Sequence, residues 1–264
     1  MQRVLYSVFI TGASSGLGAA LALQYARQGA HLGLLARRGD TLQQLIASLP
    51  HPERHRAYAV DVCDHAALKS AAADFIAHAG GIDVVIASAG VSYGTLSEHA
   101  EDLDAFARLM AINVTATVAT FAPFIATMKS QGSGRLVGIG SVAGIRGLPG
   151  AEAYSASKAA VISYCESLRL ELKPAGVKVV TITPGYIDTP MTRHNAYRMP
   201  FLMLAEKFAA RAARAIADGD SYRVIPWQMG VVAKLLRALP NAVYDLAFAN
   251  APHKARSKPS GDSQ

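Results

Sequence analysis

Cysteine is almost absent from this 264-residue chain, and charge is thin. The two cysteines, Cys63 and Cys165, stand far apart and at no metal-ligand spacing, which excludes a disulfide framework or a thiolate metal centre as the basis of the fold. No metal is expected. Both sit among apolar neighbours and read as reduced core thiols, as suits a cytoplasmic protein. Charged residues make up 17% of the chain and apolar residues 51%, enough to bury a large core within one domain. The first residues, MQRVLYSVFI, lack a basic segment and a cleavage site, so no signal peptide is expected. Repeats and low-complexity segments are missing too.

Residues 109–128 carry no charge at all, which is the pattern of a membrane span. The same run holds Asn113, Thr115, Thr117, Thr120, Thr127 and Pro123, whose polar groups and missing N–H are costly against lipid. A helix buried on several sides is the expectation. Acidic residues are scarce at one end only. Up to Thr192 the chain has 15 basic and 14 acidic residues; from Arg193 onward it has 11 basic and 5 acidic. Of the net charge of +7, +6 therefore belongs to the C-terminal quarter.

What is present is an alternation of short apolar runs with helical patterns. The runs VLYSVFI, HLGLLA, RAYAVDV, IDVVIAS, GRLVGIG and VKVVTIT are each followed by a helix or, after the last, a loop. Fully apolar strands that alternate with helices predict an α/β fold: a doubly wound parallel sheet covered on both faces. Ligands of such sheets sit beyond the carboxyl ends of the strands. One domain is expected over residues 1–250, with a substrate loop and a basic amphipathic part at 191–250, and a polar tail at 251–264.

After the first run comes TGASSGLG, with Gly12, Gly16 and Gly18. A glycine turn that enters a helix lets backbone N–H groups approach a phosphate, and the helix dipole favours the charge. No Lys-Ser/Thr follows, which argues against a nucleotide-hydrolase loop and leaves a dinucleotide site. At the end of HLGLLA, where an acid would grip the ribose 2′-hydroxyl of NAD, there is none; Ala36 is followed by Arg37 and Arg38. Guanidinium groups suit a 2′-phosphate, so NADP(H) is the expected cofactor.

YSASKAA places Tyr154 and Lys158 one helical turn apart among small residues. Ser141 ends the strand GRLVGIGS, 13 residues earlier. Asn113 is a polar amide inside an apolar helix, which needs partners. The set Thr11-Gly12-x-x-x-Gly16-x-Gly18, Asn113, Ser141, Tyr154-x-x-x-Lys158 and Pro184-Gly185 resembles the short-chain dehydrogenase/reductase family over about residues 4–190. Ser88-Ala89-Gly90 departs from that family's Asn-Ala-Gly.

The resemblance implies a Rossmann-like catalytic domain and a hydride transfer between NADP(H) and a carbonyl or alcohol. It assigns Tyr154 as the acid/base, Lys158 as the cation that lowers its pKa, Ser141 as the group that orients the substrate oxygen, and Asn113 as the holder of a proton-relay water. It implies cofactor contacts from Gly12, Ser14, Ser15, Gly16, Leu17 and Gly18, from Arg37 and Arg38, and from Asp61 and Val62. Further contacts fall to Ser88, Ala89 and Gly90, to Tyr154 and Lys158, and to Pro184, Gly185, Ile187 and Thr189. Asp61 reads equally as a solvated loop carboxylate. A homodimer or homotetramer packed through the helices of Asn113 and Tyr154 is implied as well.

Expected substrate walls are Val91, Tyr93, Ala143, Ile145, Leu148, Tyr186 and Met191, mostly apolar, which favours an apolar ketone or aldehyde. Residues 227–249 hold Val231, Val232, Leu235, Leu236 and Leu239 at helical spacing with Lys234 and Arg237 between them, and Pro240 interrupts the pattern. A helix packed on the core with a solvated basic face, a helix touching anionic lipid, and an oligomer or acidic-carrier contact all fit. Two other functions stand beside the reductase: a catalytically silent NADP(H) sensor, which need not retain all four reacting groups, and nucleic-acid binding. For the latter no module or interleaved aromatics are present, so no nucleic-acid partner is expected.

Overall fold

The computed structural model describes residues 6–193, 195, 197–249 and 256. Its centre is a parallel sheet. Strands β1 (Ser7–Thr11), β2 (His31–Ala36), β3 (Arg56–Ala59), β4 (Val84–Ala87), β5 (Gly134–Ile139) and β6 (Val177–Pro184) follow the apolar runs. After them come a short pair, β7 (Ile187–Asp188) and β8 (Met203–Leu204), and an edge strand β9 (Tyr222–Ile225). The main sheet has seven strands in the order β3-β2-β1-β4-β5-β6-β9, all paired in parallel. β9 is the strand that the sequence pattern does not offer: it lies at the edge, with Tyr222 and Arg223 exposed, and lacks the apolar run of a buried strand.

Helices α1 (Gly16–Arg27), α2 (Gly39–Ser48), α3 (His65–Ala79), α4 (Asp102–Met110), α5 (Ala116–Gln131) and α6 (Glu152–Leu172) form the crossovers. α7 (Ala205–Asp218), α8 (Trp227–Ala238) and α9 (Asn241–Phe248) follow. Each sheet face carries its own core. Leu21, Leu34, Phe208 and Ile216 pack with α1, α2 and α7 on one side. Phe9, Phe75, Phe121, Phe124 and Met128 pack with α3, α5 and α6 on the other. Phe9 meets Phe124 at 4.9 Å and Phe75 at 5.7 Å between tilted rings, so aromatic packing stitches β1 to two helices.

The charge-free run is a core helix with an interruption. α4 and α5 join through a π-helical turn, Ala111–Thr115, and Leu109, Phe121, Phe124 and Met128 are fully buried against the sheet. By length and composition alone Asp102–Gln131 could cross a membrane, and its polar residues are instead used inside the fold. Thr117 and Thr120 return their hydroxyls to the carbonyls of Asn113 and Ala116.

Cys165 is buried, but Cys63 is exposed and is no core thiol. Its backbone N–H donates to Asp61 Oδ1 at 2.9 Å, so it belongs to the turn after β3. Of the polar tail at 251–264 only Arg256 lies within the described residues. Its guanidinium donates to Asp102 Oδ1 and Oδ2 at 3.0 and 2.9 Å and to Glu101 Oε1 at 3.1 Å. Asp102, 5% exposed, also accepts the N–H of Leu96 at 2.8 Å. These bonds hold its carboxyl below the usual carboxylate range. A depressed folded-state pKa contributes stability above the ordinary value that is lost as pH falls through the depressed one. Thermal melts across pH should therefore show Arg256→Ala melting below the parent chain at neutral pH, with the gap closing in acid.

Candidate active site

The strand order reverses between β1 and β4, and the cleft opens at the carboxyl end of those strands. Its floor is the loop from β1 into α1. Gly12 has φ +68°, and a Cβ on it would stand 2.7 Å from Ala89 Cα; a Cβ on Gly18 would overlap the carbonyl oxygen of Gly12. The loop therefore presses flat against the β4 loop and against itself only because side chains are missing. That leaves backbone N–H groups at the N-terminus of α1 open to a ligand, the arrangement that accepts a pyrophosphate. A nicotinamide dinucleotide fits this cradle in shape and in polarity.

One continuous cleft is lined by Gly12, Ser14, Ser15, Gly16, Leu17, Gly18, Arg37, Arg38, Asp61, Val62, Ser88, Ala89 and Gly90. Ser141, Tyr154, Lys158, Pro184, Gly185, Ile187 and Thr189 continue the same wall. Arg38 stands immediately before α2 and reaches back, its Nη2 donating to Ser14 Oγ at 3.1 Å; Arg37 is exposed at the rim. Thr189 is tied to Thr192, whose hydroxyl donates to the carbonyl of Ile187 at 2.6 Å. Sequence reasoning did not single out Ile112, Gly140, Pro190 or Thr192, which also line the cleft. Ile112 enters through the π-helical turn, and no local sequence signal marks such a turn.

Asn113, fully buried, belongs to that turn. Its Oδ1 accepts the N–H of Val91 at 2.9 Å, and its Nδ2 donates to the Val91 carbonyl at 3.0 Å and to Ser157 Oγ at 3.0 Å. The amide thus clamps the β4 loop to α6, which is the reason a buried polar side chain is tolerated there. Gly90 passes between the functional groups: a Cβ on it would lie 3.2 Å from Asn113 Oδ1 and 3.6 Å from Lys158 Nζ.

The Tyr154 and Ser141 hydroxyls are hydrogen-bonded to one another. Burial pushes the Tyr154 phenol above its ordinary pKa, and the bond with Ser141 pulls it back down. Lys158 is buried, its Nζ donating to the Ile139 carbonyl at 2.9 Å and lying 5.9 Å from the centre of the Tyr154 ring. Burial pushes its ammonium down to about 8. In the protein alone Lys158 is thus engaged at the end of β5, and the group acting directly on the phenol is Ser141.

The expected substrate walls divide. Val91 and Met191 line the cleft. Ala143 is buried, with its N–H donating to Ser141 Oγ at 3.2 Å. Tyr93 donates its hydroxyl to the Ala105 carbonyl at 3.1 Å, and Tyr186 packs edge-on to Tyr197 at 6.2 Å. Ile145 and Leu148 line a second cavity instead, bounded by Arg146, Glu152, Arg169 and Tyr222. The chain after Ser141 makes a short helical turn, Val142–Gly144, which carries the later residues away from the cleft.

Residues 6–199 match the family model described as short chain dehydrogenase. An oxidoreductase of Myxococcus xanthus (strain DK1622) is 36% identical over 91% of this chain and 95% of its own. A 2-dehydro-3-deoxy-L-rhamnonate dehydrogenase (NAD(+)) of Sphingomonas sp. (strain SKA58) is 36% identical over 69% of this chain and 72% of its own. The crystal structure of a short-chain dehydrogenase from Streptomyces avermitilis superposes with a TM-score of 0.74 at 26% identity, covering 87% of this chain and 92% of that one. The chain belongs to the short-chain dehydrogenase/reductase family. It is an oxidoreductase of that family, whose members use a nicotinamide cofactor and act on small molecules.

Lys158 supplies a pH test of the site. Its folded pKa of about 8 lies below the free value of about 10.4. Below pH 8 the charged form carries the full burial penalty, and the penalty fades as pH rises from about 8 toward 10.4. In denaturant unfolding, Lys158→Met should show its greatest stability relative to the parent chain below pH 8. That advantage should shrink by up to about 1.4 kcal/mol per pH unit above it.

Proposed function

We propose that the protein is an NADP(H)-dependent reductase of an apolar ketone or aldehyde. The observation that carries this reading is the hydrogen-bonded pair of Tyr154 and Ser141 hydroxyls on the wall of the glycine-floored cleft, beside buried Lys158. The cofactor, when bound, supplies the hydride that the carbonyl carbon receives. Ser141 donates to the substrate oxygen and orients it. Tyr154 delivers its proton to that oxygen, and in the reverse direction takes it from the alcohol. Lys158 is the cation that offsets the phenolate charge, at close range and away from bulk water. Asn113 fixes the Val91 segment that forms the opposite wall and holds the water through which protons return. Val91 and Met191 give the substrate an apolar boundary.

NADP(H) is preferred over NAD(H) in this reading because β2 ends without a carboxylate, while Arg37 and Arg38 stand at the cleft rim where a 2′-phosphate would lie. The Sphingomonas relative, whose name records NAD(+), makes this a point to measure. A homodimer or homotetramer is part of the proposal: α6 exposes the small Ala156 and Ala159 and α5 exposes Val118 and Ala122, faces that allow helices to approach closely. So is a cytoplasmic location, which the two free cysteines suit.

Following NADPH absorbance against a panel of linear, long-chain and cyclic ketones and aldehydes tests the activity. Tyr154→Phe should abolish turnover while NADPH still binds; substantial residual turnover would remove Tyr154 from its role. Arg37→Glu should lower the NADPH-to-NADH ratio of kcat/KM by about tenfold or more, the scale of one charge-assisted contact. An unchanged ratio would overturn the cofactor assignment.

A further inference from the structure

α8 and α9, the last helices among the described residues, carry an exposed apolar ridge. On α8, Trp227, Val231 and Leu235 recur every four residues, which stacks them along one helix edge. They are 66%, 48% and 64% exposed. Val232 beside them is also exposed, as are Val243 and Leu246 on α9. The edge that α8 packs inward is instead Met229, Gly230 and Ala233. Of the readings the stripe of Val231, Val232 and Leu235 left open, packing on the core falls away: the stripe is turned out, and Met229, Gly230 and Ala233 let α8 lie close to the chain beneath it. A contiguous apolar surface of this kind marks an interaction site.

Its surroundings select the occupant. Lys234 and Arg237 are exposed on the same helix, and Asp245 is the lone acid of the α8–α9 pair. A second copy would bring Lys234 and Arg237 against their own counterparts; an anionic lipid surface meets both favourably. A tryptophan at one end of the stripe suits the headgroup level of a bilayer. The two helices, Trp227–Ala238 and Asn241–Phe248, are far too short to span one. We propose that α8 docks peripherally on anionic lipid, with Trp227, Val231 and Leu235 entering the boundary between headgroups and acyl chains.

The ridge is held rigidly. Arg146 Nη1 donates to the carbonyls of Leu236 and Leu239 at 2.6 and 2.8 Å, and its Nη2 donates to Asn241 Oδ1 at 3.0 Å. The same guanidinium lies 3.9 Å over the Tyr244 ring, and the Tyr244 hydroxyl donates to the Gly147 carbonyl at 2.6 Å. The helix pair is therefore bolted to the segment that follows Ser141, and docking sets that segment at the lipid surface. An apolar carbonyl concentrated in the bilayer would then meet the enzyme there. That consequence rests on the proposed function; the docking itself does not.

Trp227 is the only tryptophan in the chain, so it reports directly. The full chain is mixed with phosphatidylcholine vesicles, with or without phosphatidylglycerol, at low and high salt. The expected result is flotation with the anionic vesicles at low salt, with a blue shift of Trp227 emission. Leu235→Ser combined with Val231→Ser should weaken partitioning by tenfold or more, since both lose the apolar contact with the acyl chains. Lys234→Gln should weaken anionic vesicle binding and leave phosphatidylcholine unaffected. Unchanged NADPH binding and circular dichroism would show that the variants fold. Absence of flotation and blue shift would overturn the proposal. So would a concentration-dependent blue shift without vesicles, together with a dimer by light scattering that the serine variants abolish, since the ridge would then belong to a second copy.

Discussion

A single buried ammonium organises the heart of this molecule. Lys158 extends from α6 to the end of β5 and donates to the carbonyl of Ile139. An ammonium out of water is tolerated only where acceptors are fixed in advance, and strand ends provide such fixed carbonyls. Everything near it follows from keeping that place open. Gly90 passes beside it, where a Cβ would press on Asn113 Oδ1 at 3.2 Å and just touch Lys158 Nζ at 3.6 Å. Asn113 ties the Val91 segment to Ser157, three residues after Tyr154 on the same helix.

The sheet explains why these groups meet. Parallel strands point their carboxyl ends the same way, so loops after β1, β4, β5 and β6 converge at one edge although they are far apart in the chain. Gly12 from the first loop, Gly90 from the second, Ser141 from the third and Gly185 from the fourth all border the same cleft. The two cores, one on each face, fix the sheet between helices and so fix the spacing of those loops.

Much of this was legible in order along the chain. Strands β1, β2, β4, β5 and β6 announce themselves as apolar runs, because nearly all of their residues are buried between the two helical layers; β3, at one edge of the sheet, is exposed or half-buried throughout and is legible only as RAYAVDV between two helical patterns. The glycine loop, the Tyr154–Lys158 spacing and Ser141 at a strand end are local patterns, and local patterns survive reading in one dimension. β9 did not announce itself, since its four residues, YRVI, open on exposed Tyr222 and Arg223 and make no apolar run. Cys63 misled for the complementary reason: apolar neighbours in sequence do not bury a residue placed in a turn. The clasps of Arg146 and Arg256 join residues about 90 and 155 positions apart, and no spacing rule reaches that far.

Periodicity and short motifs encode local geometry, so the class of fold, the order of the elements and the groups on the cleft wall could be read from the residues in line. Tertiary structure alone decided which partner each group takes. It placed the Lys158 ammonium against Ile139 and Ser141 against Tyr154. It sent Ile145 and Leu148 to a second cavity and turned the stripe of Trp227, Val231 and Leu235 outward. The physical reason is that burial, and with it the pKa values and the exposed surface, depends on what packs from distant parts of the chain.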